Sequence, residues 1–126
     1  MGLRPLARYV ANANAALDPL WLFEAPVPTI EQLYAKTGTT AADYDLVELN
    51  EAFAAQTVVD VRLLGLDPQR VNVNGGAIEL GHPLGCSGAR LMVTLLYALH
   101  HRGGQRGIAA ACLGGGEAYA ISVEVV

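Results

Sequence analysis

The sequence predicts an α/β domain whose elements follow the order β-α-β-α-β-α-β-β, with a five-stranded mixed sheet and helices on both of its faces. Short apolar strand-like segments alternate with helix-like segments, and a triple glycine joins two apolar segments near the C-terminus as a hairpin turn would. The chain has 126 residues, 52% of them hydrophobic, so one domain with a sizeable core is expected. The alternation predicts a mainly parallel sheet, in which the final hairpin makes the last strand antiparallel.

The N-terminal third contains the first strand and the first helix. Residues 6–15 form an apolar, alanine-rich run that ends before an Asp-Pro pair, which is typical of a strand followed by a break. A helix is predicted to begin at Thr29, because its hydroxyl is suited to cap the helix and Gln32 is placed to complete a capping box. Gly38 follows the last apolar position and marks the end of this helix.

The middle of the chain contains two further strand candidates and one helix. The apolar residues 46–49 predict a short buried strand, and residues 71–73 predict another. Asn50 directly follows the first of these strands and is a good N-cap for a helix that reaches Leu64 and ends at Gly65. Strand and helix would then meet with almost no loop between them.

The C-terminal part of the chain predicts an irregular loop, a helix and two strands. Residues 74–88 contain five glycines and a proline, which predict a loop. The next helix is predicted to begin at Ala89 and to end at His101. Residues 108–112 and 118–126 then predict two strands joined by a tight turn.

Composition and charge exclude several classes of function. Eight basic and twelve acidic side chains give a formal net charge of −4 without a basic run, which argues against nucleic acid or an anionic membrane as a partner. No segment has the length of a transmembrane helix, and no secretory signal is recognisable. We therefore expect a soluble cytoplasmic protein with free thiols at Cys86 and Cys112. These thiols and His82 fit no zinc-ligand spacing, so no metal site is expected.

Three residues are candidates for chemistry, and each also has an ordinary structural explanation. His82 lies between Gly81 and Pro83 in the glycine-rich loop, where its backbone is restricted and a ligand can approach closely. A long turn without a ligand is the alternative. Cys112 ends a strand and is either a reactive thiol or a small buried apolar residue. Asn50 is either a site residue or a helix cap.

Three further polar residues are interpreted as structural. Cys86 lies within the predicted loop and is interpreted as a packing residue. His100 and His101 lie at the end of a predicted helix, where imidazoles interact favourably with the helix dipole. None of the three is therefore expected to take part in a reaction.

Four motifs occur together along the chain. They are Asn50-Glu51-Ala52-Phe53-Ala54, Gly75-Gly76-Ala77-Ile78 with Gly81-His82-Pro83-Leu84-Gly85, Ser87-Gly88-Ala89-Arg90, and Cys112-Leu113-Gly114-Gly115-Gly116. Their order and spacing resemble the C-terminal domain of thiolases, and the resemblance covers essentially the whole chain from Gly2. One departure from the family pattern is Glu79, which stands where alanine is usual, so the resemblance does not determine the polarity of the pocket or the preferred substrate.

The resemblance implies a thiolase-like half-fold and acyl transfer between 3-ketoacyl-CoA or acetyl-CoA and coenzyme A. It implies that His82 activates a nucleophilic cysteine and donates to one oxyanion hole, and that Asn50 holds the water that completes this hole. Cys112 would be the general acid and base, and the Gly114 N–H would contribute to a second oxyanion hole. Phe53 becomes a candidate for contact with coenzyme A. Coenzyme A and acyl-CoA would be substrates, with no permanently bound cofactor.

The resemblance also places the family's nucleophilic cysteine in an N-terminal half of the same topology, which is not part of this sequence. Residues 1–126 are therefore interpreted as a C-terminal domain that contributes half of an active site and is inactive alone. One alternative is a non-catalytic binding or assembly module. Another is a β-ketoacyl synthase, whose expected histidine and glycine-rich signatures are missing here.

The helix predicted from Ala89 to His101 carries the expectation about protein partners. It is apolar nearly all round, and a helix of this kind is normally buried on every side, whereas one sheet covers one face only. In thiolases the corresponding helix lies between the sheets of the two halves. We therefore expect it to pack against an N-terminal thiolase half or to pair with itself in a homo-oligomer.

Overall fold

Four strands and four α-helices form the fold of residues 2–126, which a computed structural model describes. In chain order these elements are β1 (Ala7–Ala16), α1 (Pro26–Thr37), β2 (Leu46–Leu49), α2 (Ala54–Leu63), α3 (Ala77–Leu80), α4 (Leu84–Arg102), β3 (Arg106–Leu113) and β4 (Glu117–Val125). Short 3₁₀ helices occupy Pro19–Glu24, Ala41–Asp43 and Pro68–Arg70. Within this described part of the chain, none of the helices combines the length and the apolar character that a membrane crossing requires.

The strands form one sheet in the order β1-β4-β3-β2. β4 pairs antiparallel with both β1 and β3, and β2 pairs parallel with β3. The prediction of an antiparallel last strand is confirmed, whereas the predictions of five strands and of a mainly parallel sheet are wrong. Because β4 lies between β1 and β3, the pairing of β2 with β3 is the one parallel ladder among residues 2–126.

The predicted fifth strand, residues 71–73, is reduced to a single bridge between Val71 and Val47. The chain leaves the extended conformation at Asn72, whose φ of 47° lies in the left-handed region that asparagine tolerates better than most residues. Asn72 Oδ1 accepts a hydrogen bond from the Leu49 N–H at 2.8 Å, and Asn72 Nδ2 donates to the Leu49 carbonyl at 2.8 Å. A side chain therefore occupies the edge of β2 where the fifth strand was predicted.

Helices cover both faces of the sheet, as predicted. α1 and the end of α2 pack on one face, and α4 packs on the other. The first core contains Ile30, Leu33, Leu49, Leu64, Ile108 and Ala110. The second core contains Leu46, Leu91, Leu95, Ala98, Leu99 and Ala109. β2 and β3 contribute to both cores, so the carboxyl ends of these two strands are held between two packed layers.

α1 begins earlier than the sequence predicted. It starts at Pro26, whose fixed φ suits the first helical turn. Thr29 therefore lies inside the helix, where its hydroxyl donates to the Ala25 carbonyl at 2.8 Å instead of capping the N-terminus. The predicted end is confirmed, because Gly38 follows α1 with a left-handed φ of 67°.

The region predicted as one loop, residues 74–88, contains the short helix α3 and the first turn of α4. α4 begins at Leu84 and not at Ala89. The Pro83 carbonyl closes the first turn, because it accepts hydrogen bonds from the N–H groups of Cys86 at 2.8 Å and Ser87 at 3.0 Å. This early start places the serine on a rigid element next to the histidine loop.

Candidate active site

Asn50 lies at the carboxyl end of β2 and does not cap α2. A loop separates the two elements, and α2 begins only at Ala54. The Asn50 N–H donates to the Ala110 carbonyl of β3 at 2.8 Å, and the residue is 1% exposed. Strand pairing therefore continues beyond Leu49 and fixes the backbone of Asn50, which makes the prediction of a directly capped helix wrong.

The side chains of Asn50 and His82 come together in the structure. Asn50 Nδ2 lies 3.3 Å from His82 Nε2. On the other side of the imidazole, His82 Nδ1 lies 2.6 Å from Ser87 Oγ. Because both ring nitrogens have a partner, the orientation of the imidazole is fixed from two directions.

Ser87 is a candidate residue that the sequence analysis did not single out. It belongs to one of the four motifs, but the helix was predicted to begin after it. With α4 beginning at Leu84, Ser87 is buried in the first turn and its hydroxyl donates to the Pro83 carbonyl at 3.1 Å. The sequence feature that could have identified Ser87 is its place four residues after Pro83, in the first turn of a helix that begins directly after a His-Pro pair.

The other end of the Asn50 amide is also important for the site. Asn50 Oδ1 is buried and has no hydrogen-bond partner within residues 2–126. A buried polar atom without a partner costs about 1–3 kcal/mol, and buried atoms of this kind are commonly paired with a bound water. The amide thus offers an acceptor to a water molecule or to a donor group of a ligand.

Glu51 connects the loop after β2 to the glycine-rich loop. Its Oε1 accepts from Asn72 Nδ2 at 2.8 Å, and its Oε2 accepts from the Ile78 N–H at 3.1 Å. A Cβ at Gly76 would overlap the Glu51 carboxylate, so a larger residue there would displace this carboxylate from its present position. These contacts fix the two candidate loops relative to each other.

Glu79, the departure from the family pattern, is engaged with its own helix. Its Oε2 accepts a hydrogen bond from the Gly76 N–H at 3.1 Å. A carboxylate at a helix N-terminus pairs with N–H groups that have no partner inside the helix. The Glu79 carboxylate therefore caps the N-terminus of α3.

Cys112 lies at the end of β3, on the strand next to the one that ends at Asn50. The thiol is free and half-buried. Burial raises the pKa of Cys112 above its ordinary value, and the nearby Asp60 carboxylate raises it further. A cysteine has a reference pKa of about 8.5, so the Cys112 thiol is protonated at neutral pH.

Gly114 directly follows β3 and begins the tight turn to β4, which confirms the predicted hairpin. The turn ends in Gly115 and Gly116, whose φ values of 89° and 96° lie in the region that favours glycine. No hydrogen bond within residues 2–126 joins Cys112 or Gly114 to His82. The structure thus pairs the asparagine with the histidine and places Cys112 near the end of the neighbouring strand, with Gly114 in the turn directly after it.

A buried ion pair joins β2 to α4 close to these residues. Arg90 Nη1 donates to Glu48 Oε2 at 3.0 Å, and Glu48 is buried. Burial raises the pKa of Glu48 to about 7, although Arg90 acts against this shift. The pair connects the strand that leads to Asn50 with the helix that carries Ser87, and it helps to hold the two together.

Phe53 lies apart from the hydrogen-bonded pair and lines an open groove of ≈ 420 Å³ next to α2. The Phe23 and Phe53 rings meet edge to face, with centroids 5.1 Å apart and an interplanar angle of 80°. The groove is otherwise lined by Glu24, Gln56 and small or apolar residues of α2. An exposed aromatic pair of this kind is suited to contact with an apolar part of a ligand.

The remaining sequence candidates have simple positions. Cys86 is exposed in the first turn of α4, so it does not pack against the core of this chain. His100 Nε2 lies 3.0 Å from the Leu6 carbonyl, which supports a structural role through a hydrogen bond rather than through the helix dipole alone. In the described range 2–126, no three His, Cys, Asp or Glu side chains are grouped to hold a metal ion.

Comparison with known sequences identifies close relatives. A family described as "Thiolase, C-terminal domain" matches residues 3–125. The cytosolic acetyl-CoA acetyltransferase of Mus musculus is 50% identical over 122 residues, which cover 97% of this chain and 31% of the mouse protein. The chain therefore spans about a third of the length of such relatives.

Solved structures show the same fold. The Bacillus anthracis acetyl-CoA acetyltransferase matches with a TM-score of 0.96 and 45% identity, over 99% of this chain and 32% of that protein. Human mitochondrial 3-ketoacyl-CoA thiolase, solved in complex with CoA, matches with a TM-score of 0.95 and 45% identity, over 98% of this chain and 31% of that protein. The chain belongs to the thiolase family and corresponds to its C-terminal domain.

Proposed function

We propose that this chain supplies the acid/base and oxyanion-hole half of a thiolase active site, which transfers acyl groups between 3-ketoacyl-CoA or acetyl-CoA and coenzyme A. The contact of Asn50 Nδ2 with His82 Nε2, 3.3 Å apart at the carboxyl edge of the sheet, carries the proposal. Ligands of open α/β sheets bind at this edge. A purely structural module has no need for an imidazole fixed from both sides at that place.

The oxyanion-hole role follows from the charge that develops in acyl transfer. A tetrahedral adduct and a thioester enolate both place negative charge on an oxygen, and each prearranged donor stabilises that charge by about 3 kcal/mol. His82 Nε2 donates to this oxygen once it is protonated, and Asn50 holds the water that completes the hole. The unpaired Asn50 Oδ1 supports this assignment. The Gly114 N–H contributes to a second hole.

The acid/base role is divided between His82 and Cys112. His82 takes the proton of the nucleophilic cysteine, which the family carries in its N-terminal half. Cys112 gives a proton to the leaving group and removes one from the carbon that forms the enolate. The raised pKa of Cys112 supports its role as an acid, since the thiol holds its proton at neutral pH.

Coenzyme A and acyl-CoA are the proposed substrates, with no permanently bound cofactor. Phe53 and the groove beside α2 would contact an apolar part of coenzyme A. The edge-to-face packing of Phe23 against Phe53 supports this proposal, because it fixes the exposed ring in one orientation. The match to a human thiolase solved in complex with CoA is consistent with the same substrate class.

The outer face of α4 is the proposed docking surface for an N-terminal thiolase half. Val93 and Tyr97, one helical turn apart, are 55% and 54% exposed, so α4 is not buried on every side by this chain. An apolar groove of ≈ 290 Å³ beside α4 continues this surface onto β4 at Tyr119 and Ile121. Monomers rarely expose contiguous apolar surface of this kind. Without the N-terminal half, a second copy of the chain is expected to pair through the same face.

Reconstitution tests the proposal directly. The chain is mixed with the N-terminal two thirds of the Bacillus anthracis relative, association is verified by size-exclusion chromatography, and thiolysis of acetoacetyl-CoA by coenzyme A is measured. We expect neither part to be active alone and the complex to be active. The matched control is a complex with His82→Ala. Turnover by the chain alone above this control, or an associated complex without turnover, would contradict the proposal.

A cytoplasmic location and a place in fatty acid metabolism are proposed from the similarity to thiolases. The mouse relative is described as cytosolic. A fluorescent fusion of the natural gene product, examined together with organelle markers, tests the location, and a signal confined to an organelle would contradict it.

A further inference from the structure

We propose that Ser87 is a positioning residue that holds His82 in the tautomer with its proton on Nδ1, so that Nε2 is left as the proton acceptor. The inference deepens the proposed function and rests on the role given there to His82. Ser87 belongs to one of the four motifs, but the resemblance to thiolases gave this buried serine no role.

The direction of the hydrogen bonds sets the tautomer. In this structure the Asn50 amide presents its nitrogen, which can only donate, to His82 Nε2 at 3.3 Å, and with the amide in this orientation Nε2 is the acceptor of the pair. When Nε2 of a neutral imidazole accepts a hydrogen bond, the proton of the ring is on Nδ1. That proton points to Ser87 Oγ at 2.6 Å, and the serine hydroxyl donates in turn to the Pro83 carbonyl at 3.1 Å.

Ser87 is suited to this task because it cannot easily move. It is 4% exposed, and its own N–H donates to the same Pro83 carbonyl at 3.0 Å in the first turn of α4. The Arg90–Glu48 ion pair holds the following helical turn against β2. The acceptor for the Nδ1 proton is therefore part of the packed domain, whereas the Nε2 side of the ring faces the candidate site.

The same geometry gives the Asn50 contact a second state. When Nε2 receives a proton, it becomes a donor and can no longer accept from Asn50 Nδ2. The amide hydrogen is then free for a water molecule or a substrate oxygen, while the bond from Nδ1 to Ser87 is unchanged. Protonation of His82 thus makes Nε2–H one donor of the oxyanion hole and frees Asn50 Nδ2–H to bind the water that completes it.

The tautomer is measured by ¹⁵N NMR of the imidazole nitrogens in the full 126-residue chain, at a pH at which the imidazole rings are neutral. His82→Gln identifies the His82 signals. His100 is an internal reference of the opposite kind, because its Nε2 must donate to the Leu6 carbonyl at 3.0 Å. We expect His82 to carry its proton on Nδ1 and His100 on Nε2. A proton on Nε2 of His82 would overturn the proposal.

Variants test whether Ser87 is the cause. Ser87→Ala is expected to shift the His82 population toward the Nε2–H tautomer, which neutral histidine prefers in water, and Ser87→Thr is expected to keep the Nδ1–H form. The matched control is Ser122→Ala, a buried serine of β4 whose hydroxyl contacts Tyr44 and not the site. An unchanged tautomer in a folded Ser87→Ala, or loss of the Nδ1–H form in Ser122→Ala alone, would overturn the assignment. If Ser87→Ala does not fold, the wild-type tautomer and Ser87→Thr decide the question.

Kinetics in the reconstituted complex separate this proposal from the function on which it rests. Ser87→Ala is expected to lower kcat by about 10- to 100-fold, as happens when the hydrogen-bond partner of a metal-bound histidine is removed, with partial rescue by Ser87→Thr. The NMR spectra need no substrate. A complex without thiolysis but with the expected tautomers would contradict the proposed function and leave the positioning role intact. Full kcat in a Ser87→Ala complex would overturn the positioning role alone.

Discussion

The carboxyl edge of the sheet and the outer face of α4 differ in how far this chain completes them by itself. At the edge, His82 contacts Asn50 and Ser87, and Glu51 accepts two hydrogen bonds from the neighbouring loop. On the α4 face, side chains as large as Tyr97 remain exposed. The polar contacts of the candidate site are made within the domain, whereas the apolar surface of α4 stays uncovered by this chain.

The difference follows from the physical character of the two interactions. Hydrogen bonds weaken steeply when their distance or angle changes, so a site that depends on them must be held by its own domain. Apolar burial is non-directional and roughly proportional to area, so a surface from elsewhere can supply it. A domain of this kind can be prepared for catalysis and still need a partner to be complete.

The largest expected effects are at the edge. In a reconstituted complex, Asn50→Ala, His82→Ala and Cys112→Ser are each expected to lower kcat for thiolysis by roughly two to four orders of magnitude, as for other oxyanion and acid/base groups. The matched control is Cys86→Ala, which removes an exposed thiol and should leave kcat nearly unchanged. Loss of turnover in Cys86→Ala but not in Cys112→Ser would reverse the assignment of the two thiols.

Asp60 of α2 is a buried carboxyl with one oxygen that lacks a hydrogen-bond partner in the described part of the chain, and it gives a pH-dependent prediction. Burial raises its pKa from 3.8 to about 6, against the effect of the Gln56 hydrogen bond, so the folded chain holds a proton that the unfolded chain releases. The stability that this carboxyl contributes is full below about pH 4 and is lost as the pH rises through about 6, by at most about 3 kcal/mol.

Urea unfolding between pH 4 and pH 7 checks this prediction. Asp60→Asn removes the ionisable group, so the free energy of unfolding should fall less steeply as the pH rises. The part of the fall that comes from Glu48, whose pKa is raised to about 7, should remain. Identical pH profiles for the wild type and the variant would show that Asp60 is not strained by its burial.

Glu51 gives a smaller effect on stability. Glu51→Ala removes the acceptor of both Asn72 Nδ2 and the Ile78 N–H, and we expect a loss of roughly 2 kcal/mol in the free energy of unfolding. Glu31→Ala, an exposed glutamate of α1, is the control and should stay within about 0.5 kcal/mol of wild type. Equal losses for the two variants, measured by urea unfolding, would mean that the carboxylate does not hold the loops.

The smallest change in stability is expected on the α4 face. Tyr97→Lys should alter the free energy of unfolding by no more than about 0.5 kcal/mol, because the side chain is exposed, but it should lower self-association of the isolated chain. Sedimentation velocity at micromolar concentration measures this effect. Leu20→Lys, an exposed apolar position on the opposite side of the sheet, should leave association unchanged. A wild-type chain that is monomeric throughout would contradict the docking surface.

The elements that the sequence predicted well are those determined by local pattern. The alternation of apolar segments, the glycine at the end of α1 and the triple glycine of the hairpin report local backbone preferences, and the structure confirms them. The resemblance of the four motifs to thiolases is also confirmed, because a motif preserves residue types in order. Both kinds of signal can be interpreted without three-dimensional context.

The errors have a common physical cause in contacts between distant residues. The fifth strand fails because the Asn72 side chain bonds to the backbone of Leu49, which the apolar pattern of residues 71–73 does not reveal. Asn50 has the composition of a helix cap but bonds to Ala110 of β3 and to His82. Ser87, the partner of His82, was missed because Gly85 and Gly88 favoured a loop where the first turn of α4 lies.

The assignment of proton transfer to this chain is tested most directly by exchange of the acetyl-CoA methyl protons in D₂O. Enolate formation requires removal of one of these protons, and ¹H NMR measures the loss of the methyl signal in the reconstituted complex without a full turnover. We expect exchange with the wild-type chain and with Cys86→Ala, and loss of exchange with Cys112→Ser. Exchange at the wild-type rate with Cys112→Ser would contradict the role of this chain as the acid/base half of the site.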